Sequence, residues 1–306
     1  MTTLVFGHKS PDTDSTGSPI IWAWYLNEIK GVAAAPALLG EPNTEALFML
    51  DHWKLDKPQI IDDVQADQPV VIVDTNNPAE LPASINDADI TAIIDHHRLV
   101  GGLETKGPVN IVMETLACTA TIMYKMIGDD MAQMPENIKG AMLTCILSDT
   151  LEFRSPTTTQ EDTAIAHALA KDLGIDIPDY AAKMFAAKSD VSSFSEAELL
   201  RMDSKEYEVG GKQFRVSVLE TTSPKTVLDR KDALMAAMPG VATEDGADQV
   251  LLFVVDILNE EATMLVPNDL TKSVAEKSFG ATVTGDTVVL PGVMSRKKQI
   301  IPNLKV

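Results

Sequence analysis

Three short apolar runs in the first hundred residues each lead into groups that carry chemistry. Leu4-Val5-Phe6 leads into Gly7-His8, Val70-Val71-Ile72-Val73 into Asp74, and Ala92-Ile93-Ile94 into Asp95-His96-His97. A run with no polar alternation is buried on both faces, the condition of a strand inside a parallel sheet. Val32 to Leu39 reads as another strand, and stretches with helical spacing lie at 18–29, 43–53, 118–127, 136–147 and 160–173. The carboxyl ends of parallel strands share one edge, where ligands bind. The His and Asp groups after the three runs are therefore expected to meet in space.

A last helical segment of this part, 178–187, ends in Lys188-Ser189-Asp190. The expected boundary follows it, giving an α/β domain over 1–190 and a smaller α/β domain over 191–306. The second part carries a helix at 195–202, a strand pair at 205–209 and 212–220 around Gly210-Gly211, and a helix near 225–238. Strands at 249–258 and 262–266, a helix at 271–279 and a strand at 287–290 follow. Two such domains commonly hold a ligand in the cleft between them, where the active site is expected.

Composition narrows the partners. Lys and Arg number 25 against 45 Asp and Glu, a net charge of −20. Such a surface repels nucleic acid and anionic membranes at long range, so neither is expected as a partner. No apolar run approaches the ~18 residues of a membrane span, and Met1-Thr2-Thr3 leads straight into a strand, so the expected location is the cytoplasm. With 5% aromatic residues, the core must be built from Ala, Val, Ile, Leu and Met. Cys118 and Cys145 sit in apolar contexts and read as buried thiols.

Further acids join the strand-end groups. Asp12 and Asp14 follow His8 in GHKSPDTDS, and Asp149 lies in Ser148-Asp149-Thr150 after a helical run. Four converging aspartates without counter-charge would repel and push one another's pKa upward. Divalent cations remove that conflict. Imidazole and carboxylate ligands without thiolate suit Mn²⁺, Co²⁺ or Zn²⁺ in a catalytic site, and six such groups exceed one ion's usual share. A two-metal centre with a bridging carboxylate is the economical reading.

Each piece has a simpler explanation. Asp12 and Asp14 could cap a helix, and Asp74 could end a turn. An EF-hand fails, because Gly17 stands at the sixth position from Asp12 but Ala23 at the twelfth. His52, in a helix beside Trp53, reads as a surface or packing residue, and His167 receives no role. The conjunction carries the inference, since four independent simple explanations would otherwise be needed.

Residues 294–306 hold Arg296, Lys297, Lys298 and Lys305 and no acid. A solvated basic tail would explain them. Pro291-Gly292 before them suggests a positioned turn instead, one able to clamp phosphate oxygens. Metals from one domain and cations from the other would enclose a polyanion, as phosphoryl transfer requires.

GHKSPDTDS, VDTN, DHH and SDT, in this order and spacing, resemble the DHH phosphoesterase superfamily, and the distal SRKK resembles the second-domain signature of the manganese-dependent family II inorganic pyrophosphatases. The likeness spans residues 5 to 298. It implies two Mn²⁺ per subunit, with Co²⁺ a possible substitute and Mg²⁺ arriving with pyrophosphate. By matching position, His8, Asp12 and Asp74 would hold one metal, and Asp14, Asp74, His96 and Asp149 the other, with Asp74 bridging. His97 would donate a hydrogen bond near the scissile bridge, and Asp95 would orient its neighbours. Arg296, Lys297 and Lys205 would bind substrate, with Lys298 an auxiliary charge. The resemblance further implies a five-stranded parallel sheet in the N-domain, a mixed sheet in the C-domain, and a homodimer through the N-domain. The segments between motifs are too short for an inserted regulatory nucleotide module.

The expected reaction is hydrolysis of pyrophosphate to two phosphates by in-line attack of a hydroxide shared by both metals. An exopolyphosphatase of the same superfamily keeps the metals and changes the substrate. A non-catalytic phosphate sensor would bind pyrophosphate without splitting it.

Overall fold

The computed structural model describes the backbone of residues 1–306 and every side chain except those of Lys297 and Lys298. It divides into two units, Met1–Ala187 and Lys188–Val306. The first runs β1 (Thr3–Phe6), α1 (Thr13–Trp24), β2 (Ala34–Leu38), α2 (Thr44–His52), β3 (Gln59–Ile60), β4 (Pro69–Val73), β5 (Asp89–Asp95) and β6 (Asn110–Met113). It closes with α3 (Thr119–Ile127), α4 (Glu136–Asp149), α5 (Gln160–Leu173) and α6 (Ile177–Lys188). The strands form one parallel sheet in the order β3-β2-β1-β4-β5-β6. The chain starts at the centre, moves outward through β2 and β3, and returns on the other side of β1 as β4. That reversal opens a crevice at the carboxyl ends of β1 and β4.

Successive strand side chains point to opposite faces, which explains the unbroken runs. Val5, Val71, Val73 and Ile94 pack with residues of all six helices, including Ile21, Met49, Met123, Ile146, Ala166 and Met184. Phe6, Val70, Ile72 and Ile93 pack against Val64, Leu81, Ile85 and Ala88, which lie in short turns. The sheet has six strands where the resemblance implies five. β3 is two residues long and β6 is a half-exposed edge strand, so neither carries the apolar run that marks the centre.

The helix expected over 18–29 begins at Thr13. Its first two turns are polar yet buried: Thr13, Asp14, Ser15, Thr16 and Ser18 are at most 1% exposed. They escape the apolar signature because Thr13, Asp14, Ser15 and Ser18 are buried through hydrogen bonds and not through apolar contact. Gly7 is required at its mouth, since a Cβ there would lie 2.0 Å from Ser15 Oγ. Gly17 lets α1 approach α4, because a Cβ would sit 2.3 Å from Cys145 Sγ. Gly17→Ala is expected to destabilise the metal-free protein by about 1–3 kcal/mol through overpacking. Cys145→Ala in the same chain should recover part of the loss. Denaturant midpoints of the single and double variants check this; equal midpoints for the native protein and Gly17→Ala would show that the contact relaxes freely.

The second unit runs α7 (Glu196–Met202), β7 (Ser204–Val209), β8 (Lys212–Thr221), α8 (Pro224–Leu228), α9 (Lys231–Glu244), β9 (Gln249–Asp256), β10 (Glu261–Leu265), α10 (Asp269–Phe279) and β11 (Thr287–Pro291). The sheet order is β11-β10-β9-β8-β7. Only β8 and β9 pair in parallel, so the sheet is mixed. β9 is buried along its whole length. Val250, Leu252 and Val254 pack with α7 and α9 through Leu199, Leu234 and Met238. Leu251, Phe253 and Val255 pack on the other side with Val274, Ile300 and Leu304.

Candidate metal centre and the basic turn

The strand-end groups converge as the parallel sheet requires. His8 follows β1, Asp74 follows β4 and Asp95 closes β5. β1, β4 and β5 are neighbours. Asp74 adopts the left-handed region at φ 57°, a conformation that Asp tolerates better than most residues. Its backbone N–H still donates to the Ile94 carbonyl at 2.9 Å. This bend turns a 2% exposed carboxylate into the crevice. Its Oδ2 lies 3.5 Å from His8 Nε2 and its Oδ1 3.3 Å from His96 Nε2.

Both imidazoles are oriented from behind. His8 Nδ1 is 2.8 Å from its neighbour's carbonyl at Lys9, and His96 Nδ1 is 3.1 Å from the Leu116 carbonyl. With each Nδ1 held at a carbonyl, each Nε2 faces the carboxylates and offers a ligand lone pair once it is free of its proton. Asp12 caps α1, accepting from the Ser15 N–H at 2.9 Å, and its Oδ2 reaches 3.6 Å from His8 Nε2. Asp12 therefore caps α1 and also stands beside His8. Asp14 accepts from Ser18 Oγ at 2.6 Å and from the Thr119 N–H at 2.7 Å. Asp149 ends α4, where the Cys118 thiol donates to it, but its buried Oδ2 has no hydrogen-bond partner among the described residues.

Three sets of ligand atoms lie within 4.8 Å of one another: His8, Asp12 and Asp74; Asp14, His96 and Asp149; and Asp74, His96 and His97. This crowding shows in the titration. Burial, then the charges of Asp14 and Asp12, hold the Asp74 and Asp149 carboxyls well above the ordinary range. Burial opposes a charge on His8, yet the hydrogen bond and charge of Asp12 raise its pKa to about 9. Buried carboxylates that repel, imidazole Nε2 atoms aimed among them and one unpartnered oxygen form a donor set that fits divalent cations. Cys118 and Cys145 are fully buried, which pushes both thiols far up and leaves no thiolate.

His97 is set apart from its neighbour. Its side chain is 53% exposed, with Nδ1 2.9 Å from Asp95 Oδ1 and 3.9 Å from Asp74 Oδ1. Asp95 is fully buried and accepts from the N–H groups of His96 and His97 and from Asn76 Nδ2 at 2.5 Å. Burial opposes its charge, but the hydrogen bonds from His97 and Asn76 outweigh it and hold the carboxyl below its ordinary value. Sequence reasoning missed Asn76, Thr119 and Asp162. Asp162 is fully buried and accepts from the Ala117 N–H and Thr121 Oγ1, fixing the entry to α3 from which Thr119 reaches Asp14. The Thr159-x-x-Asp162 capping spacing was the available signal.

In the second unit, Arg296 follows the turn after β11. Its Nη2 lies 2.7 Å from Asp203 Oδ1 and its Nη1 donates to the Asp203 carbonyl at 2.7 Å. Lys205, two residues on in β7, lines the same cavity of about 660 Å³ with Tyr207, Glu220 and Arg296. The expected roles of Lys297 and Lys298 fall on side chains outside the described residues. His52 packs among Phe48, Trp53 and Tyr180.

A parallel α/β unit with a His and Asp cluster at its switch point, followed by a mixed-sheet unit with a basic turn, defines a metal-dependent phosphoesterase of the DHH class. Residues 2–149 match the N-terminal domain of the DHH family and residues 182–306 the DHHA2 domain. Among curated proteins, the chain is 36% identical to a probable manganese-dependent inorganic pyrophosphatase of Lactobacillus acidophilus, over 98% of this chain and 97% of the other. It is 39% identical to one of Deinococcus radiodurans with the same coverage. Among solved structures, it resembles a Methanococcus jannaschii protein assigned to the family II inorganic pyrophosphatases, with a TM-score of 0.64, 30% identity, and coverage of 99% and 98%. The chain belongs to the manganese-dependent, family II inorganic pyrophosphatases.

Proposed function

We propose that this protein hydrolyses inorganic pyrophosphate to two phosphates at the centre around Asp74. The observation that carries the reading is that one buried carboxylate faces His8 with one oxygen and His96 with the other. In this reading Asp74 bridges two Mn²⁺ per subunit. His8 and Asp12 complete one position; Asp14, His96 and Asp149 complete the other. Co²⁺ serves as a substitute and Mg²⁺ arrives with substrate. When bound, such ions supply an acidified water and positive charge for the phosphoryl oxygens.

The chain's own groups do the rest. Residues 1–190 supply the metal-binding catalytic domain and residues 191–306 the substrate-binding domain. Lys205, Arg296 and Lys297 take the leaving phosphate. Asp203 fixes the Arg296 fork, so the cation is already oriented before substrate arrives. Asp95 holds the His97 ring by its Nδ1. Held in this way, the ring is offered as a hydrogen-bond donor to the bridging oxygen as it departs. The same reading places the enzyme in the cytoplasm as a homodimer through its N-terminal unit. β6 supports the latter, being an edge strand with Ile111 52% exposed.

Phosphate release from pyrophosphate is expected to vanish on chelation and to return most fully with Mn²⁺ or Co²⁺. Tripolyphosphate and a dinucleotide assayed beside it separate this reading from its superfamily relatives. Faster release from either one, or binding of pyrophosphate without release, would overturn it.

Proton uptake and release give a second check. In the metal-free protein, burial and the neighbouring acids raise the Asp74 and Asp149 carboxyls, and His8 titrates near 9, so His8 carries a proton at pH 7 and the two carboxyls hold theirs more firmly than ordinary acids do. Metal must displace them. Mn²⁺ affinity is therefore expected to rise as pH climbs toward 9, and loading at pH 7 to release protons. Calorimetry in buffers of different protonation enthalpy measures this; a heat that ignores the buffer would contradict it.

A further inference from the structure

Glu45 lies in the first turn of α2 and is fully buried. Glutamate almost never occupies such a place without partners that need it. Its Oε1 accepts from Thr13 Oγ1 at 2.5 Å and from Ser148 Oγ. Thr13 stands between Asp12 and Asp14 at the start of α1, and Ser148 immediately precedes Asp149 at the end of α4. A single carboxylate oxygen therefore ties together two helix ends that are distant in sequence, each through a hydroxyl adjacent to a candidate ligand.

Resting on the two-ion reading above, we propose that Glu45 is a positioning residue that fixes the spacing between Asp14 and Asp149, and so controls occupancy of the ion position these two share with His96. The two positions are anchored differently. His8 is oriented by the Lys9 carbonyl, Asp12 by the Ser15 N–H, and Asp74 by the β4–β5 pairing. Asp14 is held by Ser18 and the Thr119 N–H, on the α1 and α3 side. Asp149 is placed by the end of α4, and its Oδ2 has no protein hydrogen bond among the described residues. Its placement relative to Asp14 depends on what holds α4 to α1 at that end; the Cys145 thiol one turn back donates to the Thr13 carbonyl at 3.4 Å, and Glu45 ties the two residues that directly flank Asp14 and Asp149.

The charge of Glu45 does not help the cluster, which already holds four acids, so its use there is as an acceptor. That separates the variants. Glu45→Ala leaves two buried hydroxyls without their acceptor, whereas Glu45→Gln keeps an acceptor oxygen. In full-length protein titrated with Mn²⁺, native chains are expected to bind two ions per chain and to give the spin-coupled resonance of a close pair. Glu45→Ala should keep one tight ion, bind the second ~10–100-fold more weakly, as for loss of an orienting partner, and show an uncoupled Mn²⁺ signal. Its pyrophosphate KM should rise less than kcat falls at limiting metal, and recover at excess metal. Glu45→Gln should restore the second ion to within about threefold. Should Glu45→Ala fail to fold, Ser148→Ala removes one hydroxyl alone and should weaken the same ion in the same direction. Equal weakening of both ions, or native affinity for both in Glu45→Ala (in Ser148→Ala if that variant decides), would overturn the proposal. A native chain that binds only one ion would instead overturn the two-ion reading itself.

Discussion

Asp74→Asn is expected to yield a folded protein that retains neither ion tightly and loses at least ~1,000-fold in pyrophosphate turnover, about 4 kcal/mol of barrier. Asparagine is the informative replacement because the residue sits at φ 57°. Alanine there would add backbone strain of roughly 1–2 kcal/mol and confuse stability with function. Asparagine tolerates the conformation and keeps the shape, but offers one neutral oxygen where the carboxylate offers two anionic ones. Those two oxygens face different histidines, His8 and His96, so the loss falls on both ion positions. Burial, Asp14 and Asp12 each oppose a charge at this position more strongly than His8 favours it, so a neutral amide should leave the metal-free protein at least as stable as native. The expected signature is thus an unchanged or raised melting temperature without metal, and the loss of the rise that metal gives the native chain. Native metal content with native turnover would end the bridging assignment.

How much of this was legible beforehand follows from which residues advertise their burial. β1, β4, β5 and β9 lie between two layers, so both faces must be apolar and the strand shows as an unbroken run. The edge position of β6 and the two residues of β3 remove that signal. The start of α1 was hidden for the opposite reason. Thr13, Asp14, Ser15 and Ser18 are buried among polar partners, and burial by hydrogen bonding leaves no hydrophobic period. The same holds for the candidate site. Residues that follow strands could be placed at one edge from topology alone. Glu45, Asn76, Thr119 and Asp162 could not, because each acts through one contact that only the folded chain brings together. Asp203 before Lys205 was visible, but its grip on Arg296 joins the first strand of the second unit to the turn after the last, which no local pattern records.

His97→Gln separates the two adjacent histidines. His96 is 15% exposed and points Nε2 at Asp74, while His97 is 53% exposed and is tied by Nδ1 to Asp95. A ring oriented by a buried carboxylate and open to solvent on its other side suits proton donation to a departing oxygen. Loss of such a donor costs ~100- to 10,000-fold in turnover. His97→Gln is therefore expected to bind both ions with native affinity, to hold KM within a few-fold, and to lose kcat over that range. Asp95→Asn should act in the same direction through His97, because it leaves the ring position but weakens the charge that orients it. The competing geometry is explicit, since His97 also lies within reach of Asp74 and His96 as a third ligand set. If His97 is a ligand, glutamine at this position should lower metal content and restore activity when Mn²⁺ is raised. Metal stoichiometry measured beside kcat decides between a proton donor and a ligand, and only the first outcome is compatible with hydrolysis in which His97 meets the bridging oxygen.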